Sequence, residues 1–145
     1  MFELPNKEPN HEVVKCDDLL YYLDPKEKTA SLQKCKSTLG EIFIPRSVEY
    51  KSDEYIVTSI EPYAFGYAQN VNLVEFAEDS ELKIIKKDAF YSSSIECFIL
   101  PSKYIQFDEG WCNQMPRIKC VKISPKNKYY IFVDQSYLLG KSSPD

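Results

Sequence analysis

A repeat solenoid, mostly β-strand with short helical turns, is the fold class this sequence predicts. Three observations predict it: a six-residue apolar pattern recurs at near-constant spacing, a second apolar-and-aromatic unit recurs between its copies, and proline closes most copies. A unit of 23–25 residues cannot bury its own apolar face. Stacked units turn the recurring positions into continuous columns, so such arrays hold together as a whole.

The elements follow in chain order. Residues 1–12 hold two prolines, two asparagines and the chain's single histidine, His11, and read as a flexible tail or linker. Residues 13–38 read as two strands, Val13 to Leu23 and Thr29 to Cys35, around the turn Asp24-Pro25-Lys26-Glu27. That hairpin is expected to cap the open end of the array, a role repeat arrays require of their termini.

Residues 39–145 carry about three repeat units. The pattern apolar-x-x-apolar-x-apolar falls at Leu39, Ile42, Ile44; at Val71, Val74, Phe76; at Ile95, Phe98, Leu100; and at Ile118, Val121, Ile123. The last three copies start 24 and 23 residues apart. Pro45 and Pro101 follow directly and Pro125 one residue later, where a missing ladder donor ends a strand. Between copies come Val57, Ile60, Phe65; then Leu82, Ile85, Phe90; then Tyr104, Phe107, Cys112. Ala64-Phe65 recurs as Ala89-Phe90 and becomes Trp111-Cys112, and a helical turn is expected at each.

Val48, Tyr50, Tyr55 and Val57 predict an extra hairpin around residues 51–54, and Tyr129 to Leu139 a strand-turn-strand around Asp134-Gln135. Nothing after Gly140 reads as a cap, so the C-terminal end is expected to be open and the chain part of a longer array.

Composition narrows function. A net charge of −4 with no basic stripe leaves no electrostatic footprint for nucleic acid. No apolar run is long enough to span a membrane, and the N-terminus lacks the basic start and apolar core of a signal peptide. Catalysis finds no support. His11 lies in the tail, no Cys-x-x-Cys or His-x-x-x-His spacing offers metal ligands, and Cys112 stands where a core Phe is expected. Glycines at only 40, 66, 110 and 140 make no phosphate loop. Asp17, Asp18, Glu78 and Asp79 read as solvated turn carboxylates. The expectation is a non-enzyme without cofactor or metal.

The motif Ile42-Phe43-Ile44-Pro45-Arg46-Ser47-Val48 resembles the strand and "IPxSV" step of the BspA-like leucine-rich-repeat proteins, surface antigens of mucosal bacteria and protozoan parasites. The resemblance continues through Tyr55-Ile56-Val57-Thr58-Ser59-Ile60 to Ala64-Phe65, and the lead-in Asp18 to Leu23 with Thr29 to Leu32 is similar to the one that opens such arrays. This chain departs by carrying Glu61, Lys86 and Asp108 where the family has glycine. The resemblance implies a leucine-rich-repeat array at the cell surface or secreted, binding or adhering to a protein ligand of host or extracellular-matrix type, with no catalytic residues. An intracellular protein–protein scaffold in the cytoplasm and a purely structural spacer are the alternatives.

Side chains alternate faces along a strand, so residues between the apolar columns point outward. One outward ladder runs Phe43, Glu75, Ile99, Lys122; another runs Glu41, Leu73, Cys97, Cys120; and a third runs Gly40, Asn72, Glu96, Lys119. Phe43, Leu73, Glu75, Ile99 and Lys122 are the expected binding residues, because exposed apolar side chains in a contiguous row mark interaction sites. With five cysteines at least one thiol stays unpaired within the chain. Cys97 and Cys120, on adjacent strands about 4.8 Å apart, fit either a disulfide in an oxidising compartment or two reduced small side chains. Cys16 and Cys35, placed opposite each other across the first hairpin, are a second candidate disulfide pair.

Overall fold

The computed structural model describes residues 12–103, 105–123, 130–134 and 137–140. Residues 1–11 of the tail expected at 1–12, Tyr104, Pro125, Tyr129 and Gln135 lie outside the described residues, while Glu12, expected in the tail, belongs to the first strand.

The chain opens with β1 (Glu12–Cys16), β2 (Leu19–Asp24) and β3 (Thr29–Cys35), an antiparallel meander. The expected strand from Val13 to Leu23 is therefore two strands. Asp17 and Asp18 both adopt left-handed φ, 49° and 64°, which makes a two-residue reversal with the twist of a hairpin. The turn after β2 forms where expected, with the Asp24 carboxylate accepting from the N–H of Lys26 and Glu27.

The coil proper alternates between two sheets. β4 (Glu41–Ile44), β7 (Leu73–Phe76), β9 (Cys97–Leu100) and β11 (Cys120–Ile123) form one parallel sheet, here the outer sheet. β3, β6 (Asp53–Ile60), β8 (Ile84–Ile85) and β10 (Gln106–Phe107) run parallel in the other, which β2 and β1 prolong beyond β3. β5 (Ser47–Tyr50) pairs antiparallel with the start of β6 around Lys51-Ser52, the predicted extra hairpin. β12 (Tyr130–Asp134) and β13 (Tyr137–Gly140) pair antiparallel, as the last strand-turn-strand predicts.

Register follows the apolar pattern. Ile42 pairs with Val74, Val74 with Phe98, and Phe98 with Val121, while Ser59–Ile60 and Gln106–Phe107 flank Ile84–Ile85. A slip of one residue would turn each strand's apolar side chains to solvent, which is why the pattern holds the pairing. Val74, Phe98, Ile60, Ile85, Phe65 and Phe90 are all buried, and Phe65 stacks on Phe90 with centroids 5.1 Å apart.

Leu39 departs from its column: it is 66% exposed, whereas its counterparts Val71 and Ile95 are fully buried. Those two follow an Ala-Phe turn of their own coil that lies against the core; Leu39 follows β3 directly and has no such turn beneath it. In the third unit Ile105 is buried, one place after Tyr104.

The expected helical turns are instead successions of tight turns, and no α-helix occurs among the described residues. Ala64, Gly66 and Ala68 N–H donate to the carbonyls of Glu61, Tyr63 and Phe65, three residues back. Left-handed residues interrupt any longer helical run: Tyr63, Asp88 and Gly110 at one corner of successive coils, Tyr67, Ser92 and Gln114 at the other. At Gly110 a Cβ would fall 2.7 Å from Asn113 Nδ2, so this corner needs glycine twice over. The missing glycines at Glu61, Lys86 and Asp108 leave the ladder intact, since their N–H groups donate to Leu32, Ile60 and Ile85 carbonyls.

Candidate functional site

The four parallel strands of the outer sheet set side chains in straight rows. Pairing of Phe43 with Glu75, Glu75 with Ile99 and Ile99 with Lys122 makes the first predicted ladder continuous. Glu41, Leu73, Cys97 and Cys120 form the second in the same way. Successive rungs are about 4.8 Å apart. Phe43 is 55% exposed, Leu73 and Ile99 are half-buried, and Glu75 and Lys122 are exposed. The five predicted binding residues therefore share one face, Phe43, Leu73 and Ile99 forming a diagonal apolar track with one acid and one base beside it. The third ladder adds an ion pair between adjacent rungs: Lys119 Nζ lies 2.8 Å from Glu96 Oε1 and holds that carboxyl below the usual carboxylate range.

A family model for the BspA type leucine rich repeat region matches residues 37–133 in six copies. The chain belongs to that family.

Solved structures share the fold of this BspA-type chain. A leucine rich cell surface protein from Faecalibacterium prausnitzii superimposes with a TM-score of 0.59 over 81% of this chain at 18% identity. The pneumococcal vaccine antigen PcpA does so with 0.52, over 81% at 14% identity. A leucine-rich repeat protein from Bacteroides capillosus gives 0.50 over 77% of this chain and 98% of its own length, at 15% identity. The chain spans only 33% of the first and 39% of the second. No curated protein sequence matches it.

The cysteines divide in the same geometry. Cys97 pairs with Cys120 in register and their Cα atoms are 4.5 Å apart, so the two sulfurs meet on adjacent rungs. Cys16 and Cys35, expected to face each other, both pair with Leu19 from opposite sides, Cys16 across β1–β2 and Cys35 across β2–β3. Two strand spacings, about 10 Å, exceed the reach of a disulfide, and both thiols are free, as is Cys112. Burial pushes all three thiols up, the opposite of what an activated nucleophile requires. Cys112 is half-buried and packs against the core, as its replacement of an inward Phe implies. Among the described residues no group of three or more His, Cys, Asp or Glu is placed to hold a metal ion, and no helix is long and apolar enough to cross a membrane.

Thiol labelling checks this assignment. Protein purified without reductant should expose three alkylatable thiols on unfolding, at Cys16, Cys35 and Cys112, and peptide mapping should recover Cys97 linked to Cys120. Five labelled thiols in material from the chain's own compartment would leave the rung pair reduced.

Two features escaped the sequence reading. Tyr63 and Tyr67, 45% and 63% exposed, meet Tyr91 edge-on at centroid distances of 5.5 and 5.7 Å, an aromatic group on the turn corner. Tyrosines flanking both Ala-Phe dipeptides were the signal for it. The second is a cleft beside β4, which depends on how far β1 and β2 reach past the outer sheet and leaves no mark in local sequence.

Proposed function

We propose that this chain is a protein-binding module of a cell-surface or secreted protein, which docks a host or extracellular-matrix protein on the outward face of the outer sheet. The observation that carries the reading is the register that aligns Phe43, Leu73 and Ile99 on one rigid face, with Glu75 and Lys122 beside them. A rigid sheet loses little entropy on docking, and apolar anchors with flanking charges give affinity and orientation together. The structural neighbour described as a leucine rich cell surface protein supports the location.

The test is binding of the purified chain to plates coated separately with collagen, laminin and fibronectin, with surface biotinylation of intact cells for location. Binding to one of these proteins should fall about tenfold or more for Phe43→Asp and for Ile99→Asp. Both variants should keep wild-type circular dichroism, because Phe43 is exposed and half-buried Ile99 lies on the outward side of the sheet, away from the core. The reading fails if no coated protein is bound, if these variants bind as wild type does, or if intact expressing cells are not labelled.

A further inference from the structure

The two sheets are unequal at the start of the array. β1 and β2 carry the sheet of β3, β6, β8 and β10 two strands past β3, whereas the outer sheet stops at β4, whose far edge pairs with no strand among the described residues. The expected cap thus prolongs one sheet and leaves the other open. Gly40 and Ile44 carbonyls face β7, accepting from the N–H groups of Leu73 at 3.1 Å and Ala77 at 3.0 Å. Main-chain groups alternate sides along a strand, so the N–H and C=O of Glu41 and Phe43 are directed to the open edge. An open edge of this kind is a template for another strand.

Beside it lies a cleft of about 600 Å³. Leu19, Tyr21, Ile42 and Val48 give it an apolar floor. Among the described residues its charged lining is all acidic, Asp17, Glu41 and Glu49. Tyr21 contributes a second signal: its hydroxyl is buried and, with Ser93 Oγ, is one of two buried side-chain polar atoms among the described residues that have no hydrogen-bond partner. Leu39, 66% exposed, stands at the margin.

We infer that the cleft receives an extended segment of a partner protein, with alternating apolar and basic residues, which adds to β4 as a further strand of the outer sheet. The edge supplies main-chain hydrogen bonds, and the two-residue period sends one set of side chains to the apolar floor and the other to the acidic rim. The all-acidic rim selects a basic segment over an acidic one. This surface is the free edge beside the outward face assigned above and shares Phe43 with it, whereas Ile99, two strands away, belongs to that face alone, so the two readings are tested separately.

The experiment is fluorescence anisotropy of the full chain with a short labelled peptide alternating valine and lysine, and with its counterpart alternating valine and glutamate. The lysine peptide should bind and the glutamate peptide should not. The double variant Glu41→Lys with Glu49→Lys should weaken binding about tenfold or more. Glu41→Pro should weaken it similarly, since it deletes an edge N–H while leaving the Gly40 and Ile44 bonds to β7 in place. Ile99→Asp, on the outward face two strands from β4, should leave peptide binding unchanged. Failure of the lysine peptide to bind, or equal binding of both peptides, overturns the inference. So does wild-type affinity in the lysine double variant, or in a Glu41→Pro chain whose circular dichroism is native. A Glu41→Pro chain that does not fold leaves the decision to the lysine double variant. Sedimentation as a dimer that the lysine double variant dissociates assigns the edge to a second copy of this chain and also overturns it.

Discussion

Val74→Asp and Phe98→Asp should each abolish folding, where the same change at Phe43 should leave it intact. Val74 and Phe98 are in register on neighbouring strands and are 0% and 1% exposed, while Phe43, one residue beyond Ile42 on β4, is 55% exposed. At Phe98 a carboxylate would enter a space walled by Phe90 and Trp111, 4.8 and 5.6 Å from that ring, and at Val74 it would enter the same buried core one strand away. Among the described residues no Lys, Arg or His is buried. An unpaired buried charge costs several kcal/mol, of the same order as the roughly 5–15 kcal/mol that stabilises a whole domain. Far-UV circular dichroism should therefore lose its β signal in both core variants, with no cooperative thermal transition. A surface Asp shifts stability by about 0.5 kcal/mol or less. A Val74→Asp chain that melted near wild type would show that the strand faces had been assigned the wrong way round.

That contrast was legible in the sequence because one repeat fixes two things together, the period along a strand and the spacing between strands. Ile42, Val74, Phe98 and Val121 sit at one offset in their copies, and the same arithmetic sets Cys97 beside Cys120 and builds the Phe43–Glu75–Ile99–Lys122 row. Features resting on a single backbone choice were hidden. Asp17-Asp18 lacks the glycine that usually announces a two-residue hairpin turn, so β1 and β2 read as one strand, and Cys16 seemed to face Cys35. The left-handed Tyr63 and Tyr67 carry side chains that ordinarily avoid that region, so the Ala-Phe corner read as helical. Leu39 satisfied the apolar pattern and is nevertheless exposed, because burial depends on what lies beneath a residue as well as on its period. The cleft at β4 arises from the unequal length of two sheets, a property of topology that no local window contains.

Phe90→Ala should be the most damaging truncation in the turn wall, and its damage should be uneven along the array. Phe90 is fully buried, stacks on Phe65, and meets Phe98 and Trp111 edge-on at 4.8 and 6.1 Å. It thus joins the second coil to the third and the turn wall to the outer sheet. Removing the ring leaves a cavity on three sides, a loss of about 3–5 kcal/mol. In a linear array stability is a sum of unit and interface contributions, so a weakened interface uncouples the units on either side of it. Hydrogen exchange should quicken in β9 and β11 before it does in β3 and β6, and fluorescence of Trp111, the chain's single tryptophan, should shift red ahead of the far-UV transition. Simultaneous loss at all strands would mean that the coils form one cooperative block and that their stacking is not additive. The uneven outcome carries a functional consequence. Ile99 and Lys122, on β9 and β11, would lose their fixed place on the outward face, so ligand binding should fall in a chain whose first coils remain folded.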